Sequence, residues 1–317
     1  MSNELDISVI SSWLHYYGGE ANPTEAFEVA KAVGIEALDF SFGTRYYWKD
    51  VIKRERSAFF SQDIETIIKA YTPVKEAMEK TGIRLCQAHA PFPLCFIRGE
   101  VEEFNLYLID VVEKCLAVCK YLSIPALVVH PSGYFVKEIE RKTNLTMYRR
   151  MIPLGKKYGV KLCLENLFYR PSEIQPGVAP PNTIVGGACS EAAEAAWYID
   201  TLNAEAGEDI FGFCFDLGHA NLCKRNIREE LNILGHRLTL LHLHENDSVD
   251  DQHALPMTQR KTDWDGLIEG LRDINYRGAI SFETAPSLPD PKELVPVKLK
   301  YIAKVGQYIR DKILEER

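Results

Sequence analysis

Eight short apolar segments, each followed by an amphipathic helical stretch, run through this chain of 317 residues. The segments are rich in Val, Ile, Leu and Phe, which is typical of strands buried on both faces of a parallel sheet. The predicted strands lie at 5–10, 35–42, 83–89, 126–130, 160–165, 211–216, 238–244 and 279–283. The predicted helices lie at 23–33, 64–80, 101–121, 144–158, 190–203, 219–234, 264–275 and 291–313.

Eight strand–helix repeats predict one closed barrel rather than two domains. Length alone permits either, because such barrels commonly reach about 250 residues or more as single domains. No linker rich in Gly, Ser or Pro divides the repeats. We therefore predict that residues 1–317 form a single (β/α)8 TIM barrel, an α/β fold with its active site at the C-terminal face of the strands. Two irregular stretches, 43–62 and 170–188, are predicted to be loop insertions on that face.

The composition excludes several classes of protein. With 46% hydrophobic and 26% charged residues, the chain is neither disordered nor collagen-like. A net charge of -8 argues against attachment to DNA or anionic lipid by bulk charge. No segment approaches the length of a membrane span and the N-terminus lacks signal-peptide features, so a soluble, cytoplasmic protein is expected. The eight cysteines include no CxxC pair and are expected to be reduced and buried.

Six of the eight predicted strands end on, or run directly into, a residue that can bind a metal ion. These residues are His89, His130, Glu165, Asp216, His244 and Glu283. A barrel brings the C-terminal ends of all its strands to one mouth. An apolar strand that ends on a charged or imidazole group has a polar residue where an apolar one would bury more surface, which indicates a role for that group. Any one of the six could be a helix cap or a satisfied core group. Six together predict a functional site.

Local spacing adds detail at two of these strands. Asp216 and His219 are three residues apart across a strand-to-helix turn, so both side chains can approach one ion. Alternation along the strand places His242 and His244 on the same side. Because His244 lies nearer the mouth, it is the better ligand, and His242 is expected either to contact the ligands from behind or to pack in the core.

Two further pairs of residues suggest the chemistry. Asp251 and His253 form a D-x-H pair in a loop, which is a weak metal-binding signal. Glu165 and Glu283 approach the barrel axis from different sides, so an ion between them could orient a substrate while either carboxylate moves a proton. Two Glu, one Asp and one His suit Mn, Mg or Co, and additional neutral His ligands shift the preference toward Zn.

Over nearly its whole length the sequence resembles the xylose isomerase-like barrels, which include sugar-phosphate isomerases and epimerases, ketose 3-epimerases, inosose dehydratases and endonuclease IV. The matching segments are VVHPSG (128–133), CLEN (163–166), FDLGH (215–219), LHLHEND (241–247), DQH (251–253), W-x-G-L (264–267) and YRGAISFET (276–284). As an ordered set they are specific for the superfamily and much less so for a substrate.

The resemblance implies a single divalent-metal site formed by Glu165, Asp216, His244 and Glu283. It also implies that the two glutamates act on opposite faces of the carbon that loses and regains its proton, through a metal-bound enediolate. His219 matches a histidine that binds or polarises the substrate. Ketose 3-epimerases carry an Arg shortly after the metal-binding His, where this chain reads ENDSVDD, so a free ketose held by that Arg is not expected.

By the same comparison, endonuclease IV uses additional ligands for a three-zinc cluster. Residues at the matching positions, which could bind substrate or additional metal, are His89, His130, His219, Asp251 and His253. Endonuclease IV also needs basic loops over its face, and the strongest candidate here is the run RYYWKDVIKRER at 45–56. That run is better explained as a solvated helical insertion or a contact between subunits.

These observations favour a divalent-metal-dependent isomerase or epimerase of a sugar, sugar derivative or polyol ketone, with a small carbohydrate as its partner. A metal-dependent lyase or dehydratase acting on a keto-sugar, keto-inositol or keto-glycoside would need the same residues and is the alternative. An endonuclease IV-like phosphodiesterase with a multi-zinc site is a second alternative, and a subunit that binds without turnover is a third. The aromatic insertion at 46–60 is a candidate surface for a homo-oligomer.

Overall fold

The computed structural model describes residues 5–171, 184–185, 187–284 and 290–315. Its strands are β1 (Ile7–Ile10), β2 (Ala37–Ser41), β3 (Arg84–His89), β4 (Ala126–Val128), β5 (Lys161–Glu165), β6 (Arg170–Pro171), β7 (Ile184–Val185), β8 (Phe211–Asp216), β9 (Leu238–His242) and β10 (Ile280–Phe282). Each predicted strand contains one of these strands.

Helices separate the strands along the chain. They are α1 (Thr24–Val33), α2 (Trp48–Ile52), α3 (Ile64–Ala70), α4 (Thr72–Thr81), α5 (Glu102–Tyr121), α6 (Lys137–Tyr158), α7 (Ala192–Ala206), α8 (Leu217–Leu222), α9 (Ile227–Leu234), α10 (Trp264–Asp273) and α11 (Val295–Leu314). Short 3-10 helices lie at Ser11–Tyr17, Gly19–Ala21, Phe42–Thr44, Gly235–Arg237 and Lys292–Leu294. No helix in the described part of the chain is both long enough and apolar enough to cross a membrane.

The main sheet is an almost closed parallel barrel. Its eight strands are ordered β10–β1–β2–β3–β4–β5–β8–β9. The two edges meet just beyond β9, where the backbone N–H of Leu243 donates to Ser281 at 2.9 Å and that of Glu283 donates to Leu243 at 3.0 Å. The short strands β6 and β7 pair antiparallel outside the barrel. The predicted (β/α)8 TIM barrel is confirmed.

The helices differ from the sequence-based prediction at three places. The helix predicted at 64–80 is divided, because a proline is tolerated only in the first turn of a helix, and Pro73 lies in the first turn of α4. The helix predicted at 219–234 is also divided, since the Asn226 side chain caps a new helix by accepting from Glu229 N. The helix predicted at 144–158 starts earlier, at Lys137.

The insertion at 43–62 is packed against the barrel. It contains α2 and buries Tyr46, Val51 and Phe60. Arg45 forms an ion pair at 2.6 Å with Glu20, in the segment that follows β1. The second predicted insertion, 170–188, lies partly outside the described residues, which within it include only β6, β7 and the stretch from residue 187.

The core fills the barrel and the layer between strands and helices. Inside the barrel, Val128, Cys163, Cys214 and Leu240 pack together. The eight cysteines are free, as expected, and six of them are buried while two are partly exposed. This packed interior leaves the C-terminal ends of the strands as the place where polar side chains gather.

Candidate metal centre

Eight of the nine predicted site residues lie together with His242 at the barrel mouth in overlapping groups, and within each group the ligand atoms lie within 4.8 Å of one another. The groups are His89, Glu165 and His242; Asp216, His219 and His244; His244, Asp251 and His253; and Glu165, Asp216, His242 and Glu283. His130 adjoins the first group through a 3.0 Å contact with His89. Because the groups share members, they form one continuous cluster.

The two glutamates meet at the ring of His242. Its Nδ1 lies 3.2 Å from Glu165 Oε1 and 3.3 Å from Glu283 Oε2. Glu165 ends β5, and Glu283 directly follows β10, so the two carboxylates approach from different sides of the barrel. His244, which the sequence favours over His242, lies beside Asp216, with its Nε2 3.2 Å from Asp216 Oδ1. His242 therefore lies between the two glutamates and contacts both of them.

Two smaller groups flank this centre. On one side, Glu165 Oε2 lies 3.0 Å from His130 Nε2 and 3.4 Å from His89 Nε2. On the other side, Asp251 Oδ2 lies 3.3 Å from His253 Nε2 and 3.5 Å from His219 Nε2. In each group the Nε2 atoms of two imidazoles converge on one carboxylate oxygen.

Hydrogen bonds to the backbone fix three of these rings. The Nδ1–H groups of His89, His219 and His253 each donate to a main-chain carbonyl oxygen at 2.7 Å. A carbonyl oxygen can only accept, so Nδ1 carries the proton and Nε2 faces the other side chains of the cluster. This arrangement is common among metal-binding histidines, because the backbone bond sets both tautomer and orientation.

The charges of the cluster oppose the effects of burial. Burial disfavours the ionised form of Asp216, but His219 and His244 outweigh it and lower the pKa of Asp216 to about 2. Burial likewise disfavours a charged His219, but Asp216 and Asp251 raise its pKa to about 9. At His130, burial dominates and lowers the pKa to about 4.

The two glutamates have pKa values shifted in opposite directions. Burial disfavours ionised Glu165, but the charge of His242 and the adjacent His130 ring, 3.0 Å from Glu165 Oε2, outweigh it and hold its pKa well below the usual range. Burial raises the pKa of Glu283, and His242 and His253 offset this only in part. The environments thus favour the ionised form more strongly at Glu165 than at Glu283.

Several buried atoms of the cluster fit a bound cation. Among the described residues, Glu165 Oε2, Asp216 Oδ2, His244 Nε2 and Asp251 Oδ1 form no well-aligned hydrogen bond, although Glu165 Oε2 and His244 Nε2 have close neighbours in the cluster. A buried polar atom without a partner is costly, and a divalent ion would satisfy these oxygen and nitrogen donors together. Gly218 makes room for this arrangement, since a Cβ there would overlap the His244 ring. The residues present therefore fit a divalent metal ion.

Sequence reasoning missed two residues beneath the cluster. Asp39 on β2 lies with its Oδ2 3.0 Å from His242 Nε2, and Gln87 on β3 donates to the same oxygen at 2.9 Å. Both are fully buried. The sequence did contain a signal for Asp39, because it is an acidic residue inside a mainly apolar strand. The criterion based on strand ends considered only the last residue of each strand and therefore missed it.

A family model described as a xylose isomerase-like TIM barrel matches residues 26–305. The protein named Uncharacterized protein MJ1311, from Methanocaldococcus jannaschii, is 25% identical over 233 residues, which cover 71% of this chain and 72% of that protein.

Among solved structures, a D-tagatose 3-epimerase-like protein aligns with a TM-score of 0.68 and 19% identity over 98% of this chain and 100% of that one. The IOLI protein, whose structure contains a zinc atom, aligns with a TM-score of 0.67 and 17% identity, again over 98% of this chain and 100% of that one. At these identities the likeness shows a shared fold.

Proposed function

The chain belongs to the xylose isomerase-like TIM barrel family, and on this premise we propose that it is a divalent-metal-dependent isomerase or epimerase of a sugar, sugar derivative or polyol ketone. The observation that carries the proposal is the convergence of Glu165 and Glu283 on one point from different sides of the barrel, with His242 Nδ1 within 3.3 Å of both. One solved structure with a similar fold is described as a D-tagatose 3-epimerase-like protein, which supports the same class of reaction.

Inverting a carbon beside a carbonyl group with two catalytic groups uses a base on one face of the carbon and an acid on the other. The lowered pKa of Glu165 keeps it ionised and therefore able to accept a proton, and the raised pKa of Glu283 makes it the one of the two that more readily holds a proton to donate. The C–H electron pair would pass into the carbonyl, giving an enediolate, and return when the second carboxyl delivers its proton. Delivery to the opposite face inverts the carbon, and delivery to the neighbouring carbon isomerises the sugar.

Four residues would hold the metal ion: Glu165, Asp216, His244 and Glu283. The ion would supply positive charge to stabilise negative charge that develops on the substrate oxygens. The buried Asp216 and His244 atoms without hydrogen-bond partners among the described residues support this assignment. The oxygen-rich set suits Mn, Mg or Co, and the nearby imidazoles also permit Zn.

Exchange of substrate protons with solvent tests the proposal. The purified protein, supplied with Mn²⁺ in D₂O, would be incubated with a panel of keto-sugars and keto-inositols, and deuterium incorporation followed by NMR. Glu165→Gln and Glu283→Gln should each lower the exchange rate by about 10²–10⁴-fold, because an amide cannot carry the proton. Glu194→Gln is a matched control, since Glu194 is also buried but pairs with Lys137 and Arg141 rather than with the histidines of the cluster. Full exchange in both active-site variants would refute the proposal, and the NMR products separate epimerisation from elimination.

One observation favours a second candidate, a phosphodiesterase that uses several metal ions. The flanking groups, in which imidazole pairs converge on Glu165 and on Asp251, resemble two further metal sites. Metal analysis of the protein as purified separates the two functions, because this candidate requires about three ions per chain and sugar chemistry requires one.

The contacts of the basic insertion weigh against nucleic acid. Within the run at 45–56, Arg45 pairs with Glu20 at 2.6 Å and Arg56 pairs with Glu103 at 2.6 Å. The Arg54 guanidinium donates to a main-chain carbonyl oxygen and lies over the Phe96 ring. Three arginines of the run thus interact within the chain, which favours the sugar-directed function.

A further inference from the structure

The imidazole of His242 contacts three carboxylates from separate parts of the barrel. Its Nδ1 faces Glu165 and Glu283 at 3.2 and 3.3 Å, and its Nε2 lies 3.0 Å from Asp39 Oδ2. The ring is fully buried. His242 therefore links Asp39, which lies deeper in the barrel, to the two glutamates assigned above to proton transfer.

Asp39 is itself held in place by the neighbouring strand. The register between β2 and β3 shifts after Leu38, so Asp39 pairs with Gln87 rather than with Cys86. Gln87 Nε2 donates to Asp39 Oδ2 at 2.9 Å and also lies 3.3 Å from the carbonyl oxygen of Leu241, the residue before His242. The Gln87 amide thus bonds to both the Asp39 carboxylate and the backbone of β9, and it fixes their relative positions.

Burying a carboxylate this deep in the barrel lowers the stability of the fold. Taking a carboxylate out of water costs several kcal/mol unless its partners compensate. Asp39 is fully buried, and its Oδ1 has no hydrogen-bond partner in the part of the chain that the structure describes. An apolar side chain of similar size would avoid this cost, so packing does not explain Asp39, whereas its contact with His242 does.

We propose that Asp39 is a positioning residue that orients the His242 ring and, through it, holds the Glu165 and Glu283 carboxylates at the separation a divalent ion requires. The inference rests on the proposed metal site. Asp39 is not among the groups whose ligand atoms could share an ion, so its effect must pass through His242. Replacing residues that orient metal-binding groups typically changes metal affinity by about 10–100-fold.

The test is the affinity of the metal-free protein for Mn²⁺ alone, measured by electron paramagnetic resonance of the free ion, together with the thermal unfolding midpoint. Asp39→Asn keeps the shape of the side chain but removes its charge, and we expect it to raise the Kd for Mn²⁺ by about 10–100-fold. Gln87→Met removes the donor to Asp39 at nearly constant volume and should raise the Kd in the same direction by a smaller factor.

Asp6→Asn provides the matched control. Asp6 is also a buried acid, but it pairs with Arg84 at the opposite end of the barrel. This variant should lower the unfolding midpoint and leave the Kd unchanged. If wild type binds Mn²⁺ and Asp39→Asn and Gln87→Met both bind within about threefold of it, the inference is overturned, whatever their midpoints. If Asp39→Asn does not fold, the Kd of Gln87→Met for Mn²⁺ becomes the measurement that tests the inference. Absence of Mn²⁺ binding by wild type would instead refute the proposed function, and the inference with it.

Discussion

His219 should make the stability of the metal-free protein depend on pH. Its ring is buried, with Nε2 3.5 Å from Asp251 Oδ2 and Nδ1 3.7 Å from Asp216 Oδ1. Burial opposes charging, but the two carboxylates outweigh it and raise the pKa of His219 from 6.5 to about 9. At about 1.36 kcal/mol for each pKa unit, this rise corresponds to about 3 kcal/mol of folding free energy.

The direction of the effect follows from the direction of the pKa shift. Because the folded protein holds the proton on His219 more tightly than the unfolded chain does, the contribution is complete below about pH 6.5. It is lost as the pH rises through about 9. For a chain of this length, about 3 kcal/mol corresponds to a shift of roughly 5 °C in Tm.

The assay compares urea unfolding of wild type and His219→Gln, both treated with EDTA, between about pH 6 and pH 10. Gln cannot titrate, but its amide can still donate to the carbonyl oxygen of Asn166, which His219 contacts. Because other histidines also titrate, the informative quantity is the difference in unfolding free energy between the two proteins. That difference should be larger at pH 6 than at pH 10 by about 3 kcal/mol. A flat difference, or one that grows with pH, would show that Asp216 and Asp251 do not hold a charged His219.

Two further substitutions test other parts of the site. Gly218→Ala places a methyl group against the His244 ring, so we expect the Kd for Mn²⁺ to rise by at least about tenfold in calorimetric titration; an unchanged Kd would remove His244 from the ligand set. In the native protein the Glu245 carboxylate accepts hydrogen bonds from several donors, including Trp264 Nε1 at 2.9 Å. Glu245→Gln replaces one carboxylate oxygen with an NH₂ group, which cannot accept from such a donor. The free energy of unfolding, measured in urea without metal, should fall by about 1–3 kcal/mol, and a stable variant would mean that this bond is replaceable.

The sequence predicted much of the site because the end of each strand can be located where an apolar run stops at a polar residue. In a parallel barrel all strands run in one direction, so residues such as Glu165 and Asp216 that end apolar runs reach the same mouth. The D-x-H pair at Asp251 and His253, a weak signal alone, lies in the same cluster. Asp39 was not predicted, since it lies within β2 and its partners are distant in sequence.

The amino-acid sequence by itself determined the alternation of buried strands and covering helices, hence the barrel, and the set of polar residues at its mouth. Only the tertiary structure decided which of them touch. The pairing of β8 with β9 shifts by one residue after Phe213, so that Asp216 lies beside His242; without the shift, Asp216 would face Leu241. Side chains alternate along a strand, so a shift of one residue exchanges the residues that face each other, and such irregularities depend on contacts between strands rather than on local sequence.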